Sequence, residues 1–133
     1  MTFTLDDRLE RDTLAVIELP LCSVRLMRDA NYRWLVAVPR RAVTEIVDLS
    51  DEDQQQLMRE IAKVSAVLRT VVPCDKLNVA ALGNVVAQLH VHVIARRTTD
   101  PAWPRPVWGA VAATTYGEGE AEALVRQLAA ALR

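Results

Sequence analysis

NVAALGNVVAQLHVHVIARR, residues 78–97, is the stretch from which the architecture follows. Residues 76–82, KLNVAAL, read as a strand, and Gly83-Asn84 interrupts it as a turn would. Residues 85–97 then predict one long strand holding both histidines of the chain, His90 and His92. Side chains alternate along a strand, so Gln88, His90 and His92 share one face, and Leu89, Val91 and Val93 belong to the core on the other. Same-face neighbours on a strand lie roughly 6.5–7 Å apart. The result is a short polar row able to address one anionic group.

Working outward, residues 21–26 alternate, with Val24 and Leu26 on one face and Ser23 and Arg25 on the other. A turn over residues 29–32 leads to the run WLVAV, apolar on both faces and stopped by Pro39; together these predict an antiparallel hairpin. Ser50 can cap a long helix over residues 51–72, with Asp53 at the capping-box offset. Leu57, Ile61, Val64, Leu68 and Val71 form its single apolar stripe, suited to packing against a sheet. A short helix near the N-terminus, capped by Thr4, precedes an apolar stretch over residues 14–19. The Pro/Trp-rich segment 100–109 reads as irregular. A last helix spans about residues 118–132, with Leu124, Leu128, Ala131 and Leu132 on one side.

The 133 residues make a single domain, 1–133, with enough chain for a core without staples. Hydrophobic residues are 51% and charged residues 25%, which excludes wholesale disorder. A formal charge of −1 gives no field drawing the chain to nucleic acid or to an anionic membrane. With four glycines and neither GxxxxGK[ST] nor GxGxxG, the common phosphate loops are missing. No apolar run approaches membrane-spanning length. The polar, acidic N-terminal residues are unlike a secretory leader, and Cys22 and Cys74 fit neither a disulfide framework nor a metal spacing. The expectation is a reduced, cytoplasmic protein. Six acidic side chains against one arginine over residues 44–60 read as a solvated helix start. Arg40, Arg41, Arg96 and Arg97 read as solvated strand ends, and the two cysteines as small buried apolar residues.

Three chemistries fit an HxH row on a strand. It can be a polar face turned to solvent. It can be half of a zinc or iron site, although no HxxxE or CxxC supplies a further ligand. Or one neutral ring attacks phosphorus while its protonated neighbour donates.

The run of residues 78–97, together with WLVAVPRRAVTEIVDLSDED over residues 34–53, resembles the histidine triad (HIT) superfamily. The likeness covers about residues 20–98, with the signature region at about 76–97. It implies an α+β HIT-like fold: an antiparallel sheet of about five strands, the long helix on one face, and Gln88, His90 and His92 lining a cleft on the other. It implies a nucleotide hydrolase or nucleotidyl transferase acting on the α-phosphate of a dinucleoside polyphosphate or nucleoside phosphoramidate. His90 falls on the family's nucleophile, which forms a nucleotidyl-histidine intermediate, and His92 on the histidine that contacts phosphate and assists the leaving group. Asn84 and Gly83 fall beside the phosphate, and Asn78 near the family's asparagine. Gln88 stands in place of the first motif histidine, and Trp34 in place of a further histidine found in some members. The resemblance implies a homodimer binding a nucleotide or nucleotide conjugate and needing no cofactor or protein-held metal, with magnesium able to enter on a polyphosphate. A HIT-fold nucleotide-binding module with little turnover, and a metal-dependent hydrolase using His90 and His92, are the alternatives.

Overall fold

The computed structural model describes residues 2–133. Helix α1 (Asp7–Asp12) leads into β1 (Thr13–Glu18), β2 (Cys22–Met27) and β3 (Arg33–Pro39). A short 3-10 turn (Ile46–Asp48), the long α2 (Asp51–Val71), β4 (Lys76–Ala80), β5 (Val91–Arg96) and α3 (Glu120–Leu132) follow. The five strands form one antiparallel sheet in the order β1-β2-β3-β5-β4. This is the expected α+β architecture, with the apolar stretch before Pro20 supplying the edge strand β1.

Helix α2 starts where its cap predicts, since Ser50 accepts from the Asp53 N–H. Asp53 does not complete the box; its carboxylate takes Arg41 at 2.7 Å instead. The α2 stripe and α3 lie on the same sheet face, where Val64, Leu68, Leu128 and Leu132 pack with Val24, Leu35 and Val93. Each such buried side chain contributes roughly 1.5–3 kcal/mol. In α3 the buried positions are Ala121, Leu128, Ala129 and Leu132, and Ala131 is solvent-exposed, contrary to expectation. One residue past Ala130, Ala131 is turned by the helical repeat beyond the edge of the apolar face.

Four further expectations are corrected. The cap of α1 is Asp6, not Thr4: its carboxylate accepts from the Arg8 N–H. Glu60 is not on a solvated face. It is buried in α2 and accepts from the Leu21 and Cys22 N–H groups at 2.9 and 2.7 Å, bracing the β1–β2 turn. Burial, then the Glu60 charge, push the Cys22 thiol far up, so it stays protonated. Arg96 is not a solvated strand end but 1% exposed, held by Asp100.

The fourth correction bears on the site. The strand foreseen over residues 85–97 is β5, Val91–Arg96, alone, and residues 81–90 form a loop. The pairing Ala37↔Val91 would bring Pro39 opposite Leu89, and proline has no N–H to give to a ladder. Leu89 instead donates to the Val43 carbonyl at 3.0 Å, and the chain peels away from the sheet.

The sheet face opposite α2 carries Tyr32, Trp34, Val36, Val38 and Ile94. Leu9 of α1 and Ala102 and Val107 of the Pro/Trp segment cover it, so that face is a second core layer rather than an open cleft.

Candidate active site

The site forms where β5 begins and the 81–90 loop ends. His92 is the second residue of β5, pairing with Val36 on β3 and Ala80 on β4. His90 is the last loop residue, and its ring meets that of His92 edge-on with centroids 4.8 Å apart. The two rings come closer than straight strand geometry allows because His90 is free of the ladder. Both are buried, at 5% and 3% exposure.

Each ring has a defined tautomer. His90 Nδ1 lies 2.7 Å from the Gln88 main-chain carbonyl, an acceptor only, so Nδ1 carries the proton. Its Nε2 keeps a lone pair with no protein partner among the described residues. His92 Nδ1 accepts from the Trp34 indole N–H at 3.0 Å, and so its proton is on Nε2, turned toward the Leu82 carbonyl at 3.4 Å. Burial first, then the neighbouring His90, lower the His92 pKa to about 4. At neutral pH His92 is therefore an uncharged hydrogen-bond donor, not the protonated ring expected from sequence.

Gln88 does not join the row of rings. Its side-chain amide reaches the N-terminal segment, accepting from the Asp6 N–H at 2.9 Å and donating to the Thr4 carbonyl at 2.8 Å. The expectation assumed a strand, and Gln88 lies in the loop. Its contribution to the histidines comes through its carbonyl.

A cavity of about 130 Å³ is lined by His90, Gln88, Gly83, Asn84, Thr44 and Glu45, among others. Drug-sized ligands occupy roughly 300–1,000 Å³, so this space suits a phosphate group and leaves a nucleoside outside it. Among the described residues, the main-chain N–H groups of residues 83–88 have no acceptor. Such uncommitted donors suit phosphate oxygens. Among the described residues that line it, Glu45 is the one acidic or basic side chain besides His90. Gly83 is required by close approach: a Cβ there would sit 2.8 Å from the Val86 carbonyl oxygen and 3.8 Å from the His90 ring. Gly83→Ala should displace the loop and shift the ring resonances of His90 while the melting temperature changes little; a ¹H–¹⁵N spectrum beside a thermal melt checks this.

Asn78 is not in the cavity. It lies on β4 opposite Ile94, and its Oδ1 accepts from Arg96 at 2.8 Å. Sequence reasoning missed Trp34 as a neighbour of the histidine pair. Trp108 stands edge-on to His92 with centroids 5.0 Å apart and to Trp34 at 5.8 Å. The signal for Trp34 was its position where some relatives carry histidine. Asp29 and Asn31 bond to residues 112–114 of the segment before α3. Among the described residues no three His, Cys, Asp or Glu side chains converge as a metal site. None of the described helices is long and apolar enough to cross a membrane.

Fold and site together define a protein of the HIT-like α+β class, with a histidine pair at the entry of an inner strand. The HIT domain profile matches residues 8–99, and the chain belongs to the HIT family. A histidine triad protein from Bradyrhizobium japonicum is 48% identical, covering 100% of both chains with a TM-score of 0.97. One from Sinorhizobium meliloti is 47% identical over 96% of this chain and 95% of its own, at 0.93. One from Marinobacter aquaeolei is 41% identical over 99% and 97%, at 0.95. A search of curated proteins returned no match.

Proposed function

We propose that the chain is a nucleotide hydrolase or nucleotidyl transferase acting at the α-phosphate of a nucleotide conjugate through a covalent intermediate on His90. The observation that carries this is His90 itself: Nδ1 donates to the Gln88 carbonyl, and Nε2, the nucleophilic nitrogen, belongs to a ring lining a phosphate-sized cavity. Attack of Nε2 on phosphorus breaks the bond to the leaving group, which departs with a proton taken from a water molecule and leaves hydroxide behind. The phosphorylated ring is cationic, and its Nδ1–H bond to the carbonyl becomes charge-assisted. That hydroxide then attacks phosphorus and cleaves the phosphorus–nitrogen bond, releasing the nucleoside monophosphate and restoring the neutral imidazole with its Nδ1–H. Neutral His92 supplies an Nε2–H to a phosphate oxygen. Asn84 and the main-chain N–H groups near Gly83 serve the others. Asn78, with its Oδ1 occupied, has only its amide N–H to offer substrate.

The test is mass spectrometry after alkaline quench of a mixture with adenosine phosphoramidate or diadenosine polyphosphate. A mass gain of one nucleotidyl group, mapped to the peptide holding His90, is expected. Tight nucleotide binding with neither adduct nor product would leave a binding module instead.

Glu45 favours one leaving-group class. With a carboxylate and no cationic side chain lining the cavity, an amine leaving group fits unaided, whereas a polyphosphate needs a divalent cation beside it. Chelator should leave phosphoramidate turnover unchanged and depress polyphosphate turnover. Glu45→Gln should raise polyphosphate kcat/KM about two- to fivefold, the range of an exposed charge pair. Assays with and without magnesium check both. The free edge strand β4, with half-exposed Val79, is the proposed edge of a homodimer, for which sedimentation is the measurement.

A further inference from the structure

We propose that Trp34 is a positioning residue: its indole N–H locks His92 as the neutral Nε2–H tautomer, aimed at the phosphate loop. Indole is a donor with no acceptor, so the 3.0 Å contact admits only one arrangement, with a lone pair on His92 Nδ1. A histidine or glutamine at the same place could donate or accept and would leave the tautomer open. Trp34 is itself fixed. It is 7% exposed, pairs with Ile94 two residue pairs along the ladder from His92, and is packed edge-on by Tyr32 at 6.2 Å and Trp108 at 5.8 Å. Its ring reaches back along the sheet face to His92, with centroids 5.6 Å apart.

Two consequences follow. The proton on Nε2 meets only a long contact to the Leu82 carbonyl, at the entry of the 81–90 loop, so a phosphate oxygen can take it over at little cost. The charge consequence matters more. In the reading above, His90 becomes cationic on attack, and a second cation 4.8 Å away would oppose that step. Holding Nδ1 as an acceptor keeps His92 neutral, in the same direction as its burial and the nearby His90. The other groups facing the ring are Val36 and Ala80 across the ladders and Trp108 above it, and none of them titrates. His90 is the one titratable neighbour acting on it.

The tautomer is tested without reference to turnover. In ¹⁵N-histidine-labelled protein, long-range ¹H–¹⁵N correlation should report His92 as Nε2–H from pH 5.5 to 8. In Trp34→Phe the ring should populate both tautomers, and its pKa should rise by about half to one unit, the worth of one hydrogen bond. The acid limb of kcat should move up with it, with KM little changed. If Trp34→Phe fails to fold, Trp34→benzothienylalanine keeps the bicyclic shape and removes only the N–H, with the same shifts expected. A native His92 protonated on Nδ1, or a tautomer and pKa unmoved in a folded variant, overturns the proposal. Because the assignment of a turnover role rests on the reading of His90, the outcomes separate: NMR shifts as expected in a protein without turnover sustain Trp34 and sink that reading.

Discussion

His90→Asn should abolish turnover of nucleotide conjugates, lowering kcat at least about a thousandfold, and should eliminate the nucleotidyl adduct. Asparagine has roughly the reach of Nδ1 and keeps an amide that can donate to the Gln88 carbonyl, but it carries no nucleophilic nitrogen. The loss should therefore fall on chemistry. Affinity for a non-hydrolysable nucleotide analogue should stay within a few-fold of native, because the N–H groups of residues 83–88 and Asn84 are untouched. The fold should survive, since the lost ring packs chiefly against His92 in a cavity wall. Equal product from variant and native protein would remove the nucleophile and with it the covalent mechanism. Abolished turnover together with abolished binding would place His90 in ligand capture instead.

How far this site was legible in sequence depends on which interaction fixes each residue. The hairpin, the long helix and the inner strand carry periodic apolar patterns, and burial of those patterns is what the fold obeys. Ser50 is a local cap that needs only its own helix, and it forms as read. The row Gln88, His90, His92 is half right. Alternation places His92 on the sheet face opposite α2, but a ladder needs a partner at every rung. The proline ending β3 removes one, so the chain leaves the sheet before His90. That is a tertiary event, invisible to a period-two pattern. Leaving the sheet is also what brings the two rings within contact and frees the main-chain donors of the loop, so the stretch that departs from the period-two pattern is the one that forms the candidate site. Glu60 and Arg96 were misread for one reason: a charged residue looks solvated in sequence until the partner that neutralises or hydrogen-bonds it is known. The partners lie far away for Glu60, at the β1–β2 turn, and close by for Arg96, at Asp100.

The Arg96–Asp100 pair gives the largest expected effect on stability. Arg96 is 1% exposed and Asp100 6% as side chains, with Nε and Nη2 donating to the carboxylate at 2.7 and 3.0 Å. Arg96 also holds Asn78 and stacks its guanidinium near the Tyr32 and Trp103 rings, at 5.8 and 5.5 Å. Arg96→Met strands a buried carboxylate and should destabilise by about 3–5 kcal/mol. A chain of this size should then melt roughly 10–20 °C lower. The double variant Arg96→Met/Asp100→Ala should lose less than the sum of the single changes, because no lone charge remains buried. It should not recover fully, since Asp100 also accepts from the Ala102 and Trp103 N–H groups and shapes the turn there.

The pH dependence has a definite sign. Burial works to raise the Asp100 pKa, but Arg96 and then the main-chain N–H groups outweigh it, and the net shift is downward. A carboxylate lowered in the folded state contributes stability above its unfolded value, and that stability is lost as pH falls below about 4. His92 acts in the window above. Its folded pKa of about 4 lies below the unfolded value of about 6.5, so stability also falls as pH drops from about 6.5 toward 4. Urea melts at pH 7, 5 and 3.5 should show Arg96→Met converging on the native protein as pH falls, because without Arg96 burial raises the Asp100 pKa and the stranded carboxyl takes up a proton before the native one does. A gap that stays the same down to pH 3.5 would assign the difference to another group. The same variant ties the pair to the site: the turn it secures leads through Ala102 and Val107 to Trp108, which lies against His92. Indole fluorescence and the His92 resonances should therefore change in Arg96→Met under conditions where the variant is still folded, though no atom of Arg96 touches the histidine ring.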